Sequence, residues 1–342
     1  MHNFKKIFPR LILLLVFVFL LEKGVRFLYE PYDQYSIYAN REYQENIGKI
    51  DTLFLGTSRT YSSCDPAVYD ELMNANSFNM GTGSQSITDS YFILKDALRL
   101  NPIKTVYLEV SVPTLKKIQN DSSTIGSFNR VSSLFGKLEM ASAAQKNGLQ
   151  MRELFFSTRV SDYFDFDAVV KNVSYKLSSD RNTPPQMPKN DPSYLYKGFI
   201  SSSREYTGKM KTTENKSKHR WSRSSISSER MNSLLDIIDL CQKNEVELIL
   251  FSPPITENFL SLVGDIDDMH ACYQTIADTY GIRFFDMNLY KNKNEVFPNS
   301  LFRDRMHMNI KGAETFTGIL AELTQSGTDF SRFFNLQYCA GQ

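Results

Sequence analysis

Residues 50–59 read Ile50-Asp51-Thr52-Leu53-Phe54-Leu55-Gly56-Thr57-Ser58-Arg59. The run IDTLFL is short and mostly apolar and stops at a turn residue, which predicts a buried strand. A strand that ends on a glycine turn is how an α/β unit begins. Ser58 then stands just past the carboxyl end of that strand, the side of an open α/β sheet on which ligands bind.

Outward from this strand the pattern repeats. Pro66–Met73 predicts a helix, and Ser77–Met80 a short strand closed by Gly81-Thr82-Gly83-Ser84. Asp89–Leu100 has helical spacing and ends at Asn101-Pro102, and Thr105–Val110 (TVYLEV) is a further strand. Downstream, Glu229–Asn244 predicts a helix, Val246–Phe251 a strand, Ile266–Tyr280 a helix and Arg283–Asp286 a strand. A helix from Met308 to Leu323 closes the domain. Strands alternating with helices imply an α/β fold, a mostly parallel sheet covered on both faces. Residues 114–225 break the rhythm. They are rich in Ser, Asn, Lys and Arg and include Pro184-Pro185 and Pro188, which predicts a long insertion with some helix, for example Leu134–Leu149. Such an insertion suits a lid or a substrate-binding subdomain.

The chain has 342 residues, 42% hydrophobic and 23% charged, enough for a sizeable core. A formal net charge of +1 gives no reason to expect nucleic acid. Residues 1–26 hold Lys5, Lys6, Arg10, Lys23 and Arg26 against Glu22 alone, so the remainder is mildly acidic. Leu11–Leu21 (LILLLVFVFLL) is an unbroken apolar run behind three basic residues, which predicts a transmembrane signal-anchor with a cytoplasmic N-terminus. Leu20–Gly24 offers no small-x-small cleavage site. The expected organisation is a cytoplasmic tip and anchor over 1–26 and a tyrosine-rich juxtamembrane stalk over 27–49. An extracytoplasmic domain over 50–330 and a tail over 331–342 follow. Cys64, Cys241, Cys272 and Cys339 show no CxxC or Cys/His spacing, so no metal site is expected and free thiols are the plain reading. No cofactor is expected.

Three separated pieces carry chemistry. Ser58, on a tight strand-to-helix turn, can expose its hydroxyl; alone, it reads first as a helix cap. Glycines in Asn79-Met80-Gly81-Thr82-Gly83-Ser84 let backbone N–H groups approach a ligand, as an oxyanion hole requires; alone, this is an ordinary turn. Asp304-Arg305-Met306-His307-Met308-Asn309, followed by Gly312, sets a carboxylate three residues before a histidine. The chain has four histidines, and His2, His219 and His270 lack informative company. Asp304 can hold the imidazole through Nδ1, leaving Nε2 to take a proton from Ser58.

In this order the pieces resemble the SGNH (GDSL-like) hydrolase superfamily over roughly residues 50–115 and 228–325, the insertion remaining unmatched. DxxHxNxxG is the most specific element, and GTSR in place of GDS is a looser match. The resemblance implies a flavodoxin-like three-layer sandwich, with Ser58 as nucleophile, His307 as base and Asp304 as its orienting partner. The amides of Ser58 and of the Gly83-Ser84 loop would be oxyanion donors. The superfamily's oxyanion Asn, in a GxND stretch after the next strand, is missing where this chain reads Leu108-Glu109-Val110-Ser111. Ser111 could substitute, or the hole could have two donors, and Glu109 could pair with Arg59 at the pocket rim. Loss of one donor costs about 10²–10³ in rate, so slow or specialised acyl transfer is expected over fast general esterase activity.

With an N-terminal anchor, the chain is also similar to extracytoplasmic acyl-transfer proteins, the teichoic-acid D-alanylation (DltD) type and those of polysaccharide O-acetylation. That implies a cell-envelope polysaccharide or polyol-phosphate polymer as partner, together with the membrane lipid bilayer and a membrane-bound O-acyltransferase. Residues 204–223 carry Arg204, Lys209, Lys211, Lys216, Lys218, Arg220 and Arg223 around Trp221, suited to anionic headgroups or to plain solvation. The competing reading is an envelope protein that binds glycan or polymer in the same cleft with weak or no catalysis.

Overall fold

The computed structural model describes residues 2–116, 124–146, 155, 157, 160, 165–185, 191–208, 219–327 and 333–334. An N-terminal helix α1 (His2–Tyr29) and α2 (Tyr35–Asn46) precede the sheet. The core alternates β1 (Thr52–Leu55), α3 (Ser58–Ser63), α4 (Pro66–Met73), β2 (Ser77–Asn79), α5 (Ile87–Leu100) and β3 (Thr105–Glu109). The insertion supplies α6 (Val112–Leu115), α7 (Thr124–Phe128), α8 (Leu134–Lys146), α9 (Phe166–Leu177) and the hairpin β4 (Ser193–Tyr196), β5 (Phe199–Ser201). The core resumes with α10 (Ser228–Lys243), β6 (Glu247–Ser252), α11 (Glu257–Val263), α12 (Ile266–Tyr280) and β7 (Arg283–Asp286). It closes with α13 (Lys293–Val296) and α14 (Ile310–Gln325).

The sheet order is β2-β1-β3-β6-β7 with all pairings parallel. Renumbered within the sheet this is 2-1-3-4-5, the flavodoxin-like order, whose switch point lies between the first and third strands. The period-2 geometry of a strand splits its apolar residues between two faces. Leu53, Leu55, Val106, Leu108, Leu248 and Leu250 join Ile93 and Leu94 of α5, Leu234 and Ile237 of α10 and Tyr273 of α12 on one side. Phe54, Tyr107, Ile249, Phe251 and Phe285 face Tyr69 of α4 and Phe316 and Leu320 of α14 on the other. Two cores around one sheet make the three layers, and they hold the strand ends that carry the site.

Three expectations change. First, among the described residues no helix is long and apolar enough to cross a membrane. Although α1 has 28 residues, its unbroken apolar stretch is cut by Arg10 and by Glu22-Lys23. Leu11–Leu21 rises about 16 Å against a hydrocarbon core of about 30 Å. The transmembrane part of the anchor expectation is therefore not met. Second, the segment read as a stalk contains α2, whose Tyr38, Ala39 and Tyr43 are buried, with Tyr43 edge-on to Phe78 of β2. Polar spacing had hidden tyrosines that pack by their rings. Third, beside the expected helix, described as α8 with residues 147–149 outside the described residues, the insertion carries a helix α9 and a hairpin that have no counterpart in the sequence reading.

The hairpin caps the exposed edge of β2. Asn79 N–H donates to Lys197 O (2.9 Å), and Gly198, at φ 81°, packs so closely that a Cβ there would lie 1.8 Å from Asn79 O. Edge strands are prone to promiscuous pairing, and a covering turn prevents it. Cys64, Cys241 and Cys272 are free thiols.

Candidate active site

Ser58 is the first residue of α3, and Thr57 caps the helix by accepting the Arg59 amide on Oγ1 (3.2 Å). That short-chain hydroxyl cap is what lets the chain turn from strand to helix here. Gly56 makes the turn possible: it sits at φ 151°, and a Cβ would meet Thr60 Oγ1 at 2.2 Å and Glu109 Cβ at 2.5 Å. The site thus lies at the β1/β3 switch point.

Glu109, at the end of β3, organises the turn. Its side chain is fully buried, and Oε1 receives Nη2 (2.6 Å) and Nε (3.0 Å) of Arg59. Oε2 accepts the Thr57 amide (2.7 Å), Thr57 Oγ1 (2.8 Å) and Thr60 Oγ1 (2.6 Å). Burial by itself would raise its carboxyl pKa. The Arg59 charge and these hydrogen bonds outweigh that and hold it below the usual range. The expected Arg59–Glu109 pair therefore forms, but beneath the nucleophile turn and not at the pocket rim. The sheet places β3 directly under that turn, so the longest acidic side chain points inward.

His307 comes from the far end of the chain. Its Nε2 lies 2.8 Å from Ser58 Oγ, and its Nδ1 lies 2.8 and 3.0 Å from the two Asp304 oxygens. With Nδ1–H donated to Asp304, Nε2 is left to accept the Ser58 hydroxyl proton. Asp304 Oδ1 also accepts the amides of Met306 (2.8 Å) and His307 (3.0 Å). Burial acts to raise the Asp304 pKa, but the bond and charge of His307 and the two amides lower it to about 2. The His307 side chain keeps 16% of its surface exposed, so the Ser58–His307 contact is open on one side.

The rest of DxxHxNxxG is scaffold. A Phe302–Met308 bridge pinches the loop, and Arg303 N–H donates to His307 O (2.9 Å). Asn309 caps α14 by accepting Gly312 N–H (3.0 Å), and its Nδ2 donates to Ser300 O (2.6 Å) and Arg204 O (3.1 Å). A Cβ at Gly312 would lie 2.0 Å from Leu301 O, so only glycine permits that approach.

The oxyanion expectations divide. No described hydrogen bond uses the amide of Ser58, Gly83 or Ser84, and Gly83 and Ser84 are exposed on their loop, Ser84 at φ 56°. The Thr82 amide is committed to Gly56 O (3.1 Å). Ser111 is buried in the cap of α6, its amide donating to Thr114 Oγ1 (2.9 Å) and its carbonyl accepting Tyr273 OH (2.7 Å). It is placed to shape that cap and not to stabilise an oxyanion. Asn79 is likewise structural: Nδ2 ties Thr60 O (3.0 Å) and Cys64 O (2.9 Å), holding α3 against β2.

Two features escaped the sequence reading. His270 Nδ1 lies 3.3 Å from the buried Asp286 Oδ2, a pairing set by α12 crossing β7 with no local signal. Trp221 is buried and donates to Asp268 Oδ2 (2.7 Å), which also receives Arg223 Nε on Oδ1 (2.6 Å). Trp221 and Arg223 of the 204–223 stretch are thus tied to α12, while Lys209, Lys211, Lys216 and Lys218 lie outside the described residues. Among the described residues no group of three or more His, Cys, Asp or Glu could hold a metal ion.

No family model matches the chain, and no curated protein matches it. It is similar to a solved structure of a Bacteroides fragilis protein provisionally described as an acylhydrolase, at 13% identity and a TM-score of 0.38. The match covers 83% of this chain and 93% of that one. Likeness of that degree carries no weight for either fold or chemistry. Both rest on the strand order and the side-chain geometry above.

Proposed function

We propose that this chain is an SGNH-type serine esterase or acyltransferase acting on acyl esters. The observation that carries the reading is the unbroken line from Ser58 Oγ through His307 to Asp304. Ser58 attacks the acyl carbon as His307 Nε2 takes its proton, and the alkoxide leaves with that proton returned from His307. Water or an acceptor hydroxyl then attacks the acyl-serine by the same proton path in reverse. Asp304 stays ionised and stabilises the imidazolium that forms in each half.

The unused amides of Ser58 and of the Gly83-Ser84 loop are the oxyanion donors in this reading, without a side-chain amide as a third. A missing donor costs about 10²–10³ in rate, so turnover is slow and suits a specialised acyl acceptor. The exposed apolar surface of α1 supports attachment to a membrane surface, and an ester of an envelope polysaccharide or polyol-phosphate polymer is the substrate in this reading. Fluorophosphonate labelling checks the nucleophile: wild type should be labelled and Ser58→Ala should not. Undiminished labelling of the variant would remove Ser58 from the mechanism.

A further inference from the structure

The surface around the base of α1 carries a feature that the acyl-transfer reading does not use. Residues Ile7 and Phe8 and then Leu11 to Leu21 are exposed on every side of the helix. Helix α9 packs against α1 and turns Phe166, Val170 and Leu177 outward. These three recur at intervals of four and seven, one apolar stripe on a helix. The two helices are bolted together. Lys176 Nζ donates to the carbonyls of Arg26, Phe27 and Glu30 (3.1, 2.9 and 2.6 Å), and Asn172 Oδ1 accepts Tyr32 N–H (3.1 Å). Tyr32 stacks on Tyr175 at 4.5 Å between ring centres.

Between them opens a cavity of about 440 Å³. Lys23, Arg26, Arg41, Lys176 and Arg181 line it against Glu30 alone, for a net charge of +4. Arg26 is paired with Glu22 (3.0 Å) and Glu30 (3.1 Å), and Lys176 keeps its charge but commits its donors to the carbonyls of Arg26, Phe27 and Glu30. Arg41 is oriented by Asn182 Oδ1 (2.9 Å) and the Tyr38 ring, with no carboxylate partner among the described residues. Neither Lys23 nor Arg181 has a carboxylate partner among those residues. Lys137 of α8 feels the same field: burial first, then Arg26 and Lys23, lower its pKa. Lys23 and Arg26 follow the apolar run directly on the same helix, so the cavity mouth lies beside the surface that enters lipid.

We infer that this cavity binds the phosphodiester headgroup of an anionic phospholipid, seating the protein on its membrane. The assignment rests on lipid embedding of α1, not on the Ser58 chemistry. Three cations without acidic partners among the described residues supply the charge, and Phe27 with the Tyr32–Tyr175 stack supplies an apolar wall for the glycerol backbone.

Flotation of the full-length protein with vesicles tests this, using phosphatidylcholine alone or with a third of phosphatidylglycerol. Wild type should bind the anionic vesicles at least about tenfold more tightly, at roughly fivefold per basic contact. Arg41→Gln with Arg181→Gln should abolish most of that gain and leave binding to pure phosphatidylcholine unchanged. Lys243→Gln with Lys311→Gln, two exposed lysines outside the cavity, should lower it less than about twofold. Equal losses in the two double variants would reduce the effect to general surface charge and overturn the site. Soluble glycerol phosphate, titrated into the purified protein, separates the sources. If it binds with the same dependence on Arg41 and Arg181 while anionic vesicles gain nothing, the ligand is free phosphate and the lipid assignment falls. Failure to bind any vesicle would sink the lipid embedding of α1 and the headgroup site together. A missing phosphatidylglycerol gain alone sinks only the headgroup site.

Discussion

Glu109 carries more of the local architecture than the nucleophile it supports. Its two oxygens receive Arg59, Thr60 and both the amide and hydroxyl of Thr57. In Glu109→Gln the Arg59 guanidinium stays buried without its counter-charge, an arrangement that costs about 3–5 kcal/mol. The denaturant midpoint should fall accordingly, and an unchanged midpoint would remove Glu109 from the role of clamp. Apolar replacement of both Arg59 and Glu109 should not restore stability, because the Thr57 amide and the two hydroxyls would still lack an acceptor. Asp304 works on the chemistry instead. Asp304→Asn keeps the shape but favours the wrong imidazole tautomer, and acyl turnover should fall about 10⁴-fold with the fold intact. A carboxyl held at about 2, below its ordinary 3.8, contributes stability that is complete above pH 4 and is lost as pH falls towards 2. The acid limb of stability against pH should therefore be shallower in Asp304→Asn than in wild type.

At the scale of elements, the site depends on contacts between segments far apart in the chain. Gly198, on the β4–β5 turn, presses on the backbone of Asn79, and Asn79 ties the carbonyls of Thr60 and Cys64 in and after α3. Gly198→Ala meets both a positive φ and a 1.8 Å clash with Asn79 O. It should destabilise by more than about 1 kcal/mol and displace α3, lowering turnover although Gly198 is far from Ser58 in sequence. A crystal structure of the variant with Ser58–His307 spacing unchanged would break this link. The strand and helix assignments were legible because apolar periodicity is local: β7 matches its expected limits, and β1 and β2 are each shorter than expected. Most of the insertion was not legible. Its helix α9 leaves Phe166, Val170 and Leu177 exposed, so their apolar stripe marks no core face, and its place beside α1 is set by the tertiary fold alone.

Across the whole molecule, α1 joins the domain through its last two turns. Glu22 accepts the Ser157 amide, and the carbonyls of Arg26, Phe27 and Glu30 receive Lys176, while residues 7–21 are exposed. Deleting residues 1–21 should therefore leave the thermal midpoint within about 2 °C of wild type while abolishing vesicle binding. A large loss of stability would place α1 inside the folding unit.

Taken alone, the amino-acid sequence determined the α/β class, the strand-end position of Ser58 and the pairing of Asp304 with His307. Each depends on neighbours within a few residues: an apolar run ending on glycine, or a carboxylate three positions from an imidazole. Only the tertiary structure decided what lies beneath and beside the nucleophile. It brought His307 to 2.8 Å of Ser58 across a separation of 249 residues. It also buried Glu109 under the turn by setting β3 next to β1. Ser111, read from the sequence as a substitute oxyanion donor, went to a helix cap by the same means. Such choices follow from strand order and from the burial that strand order imposes, which no short window of sequence contains.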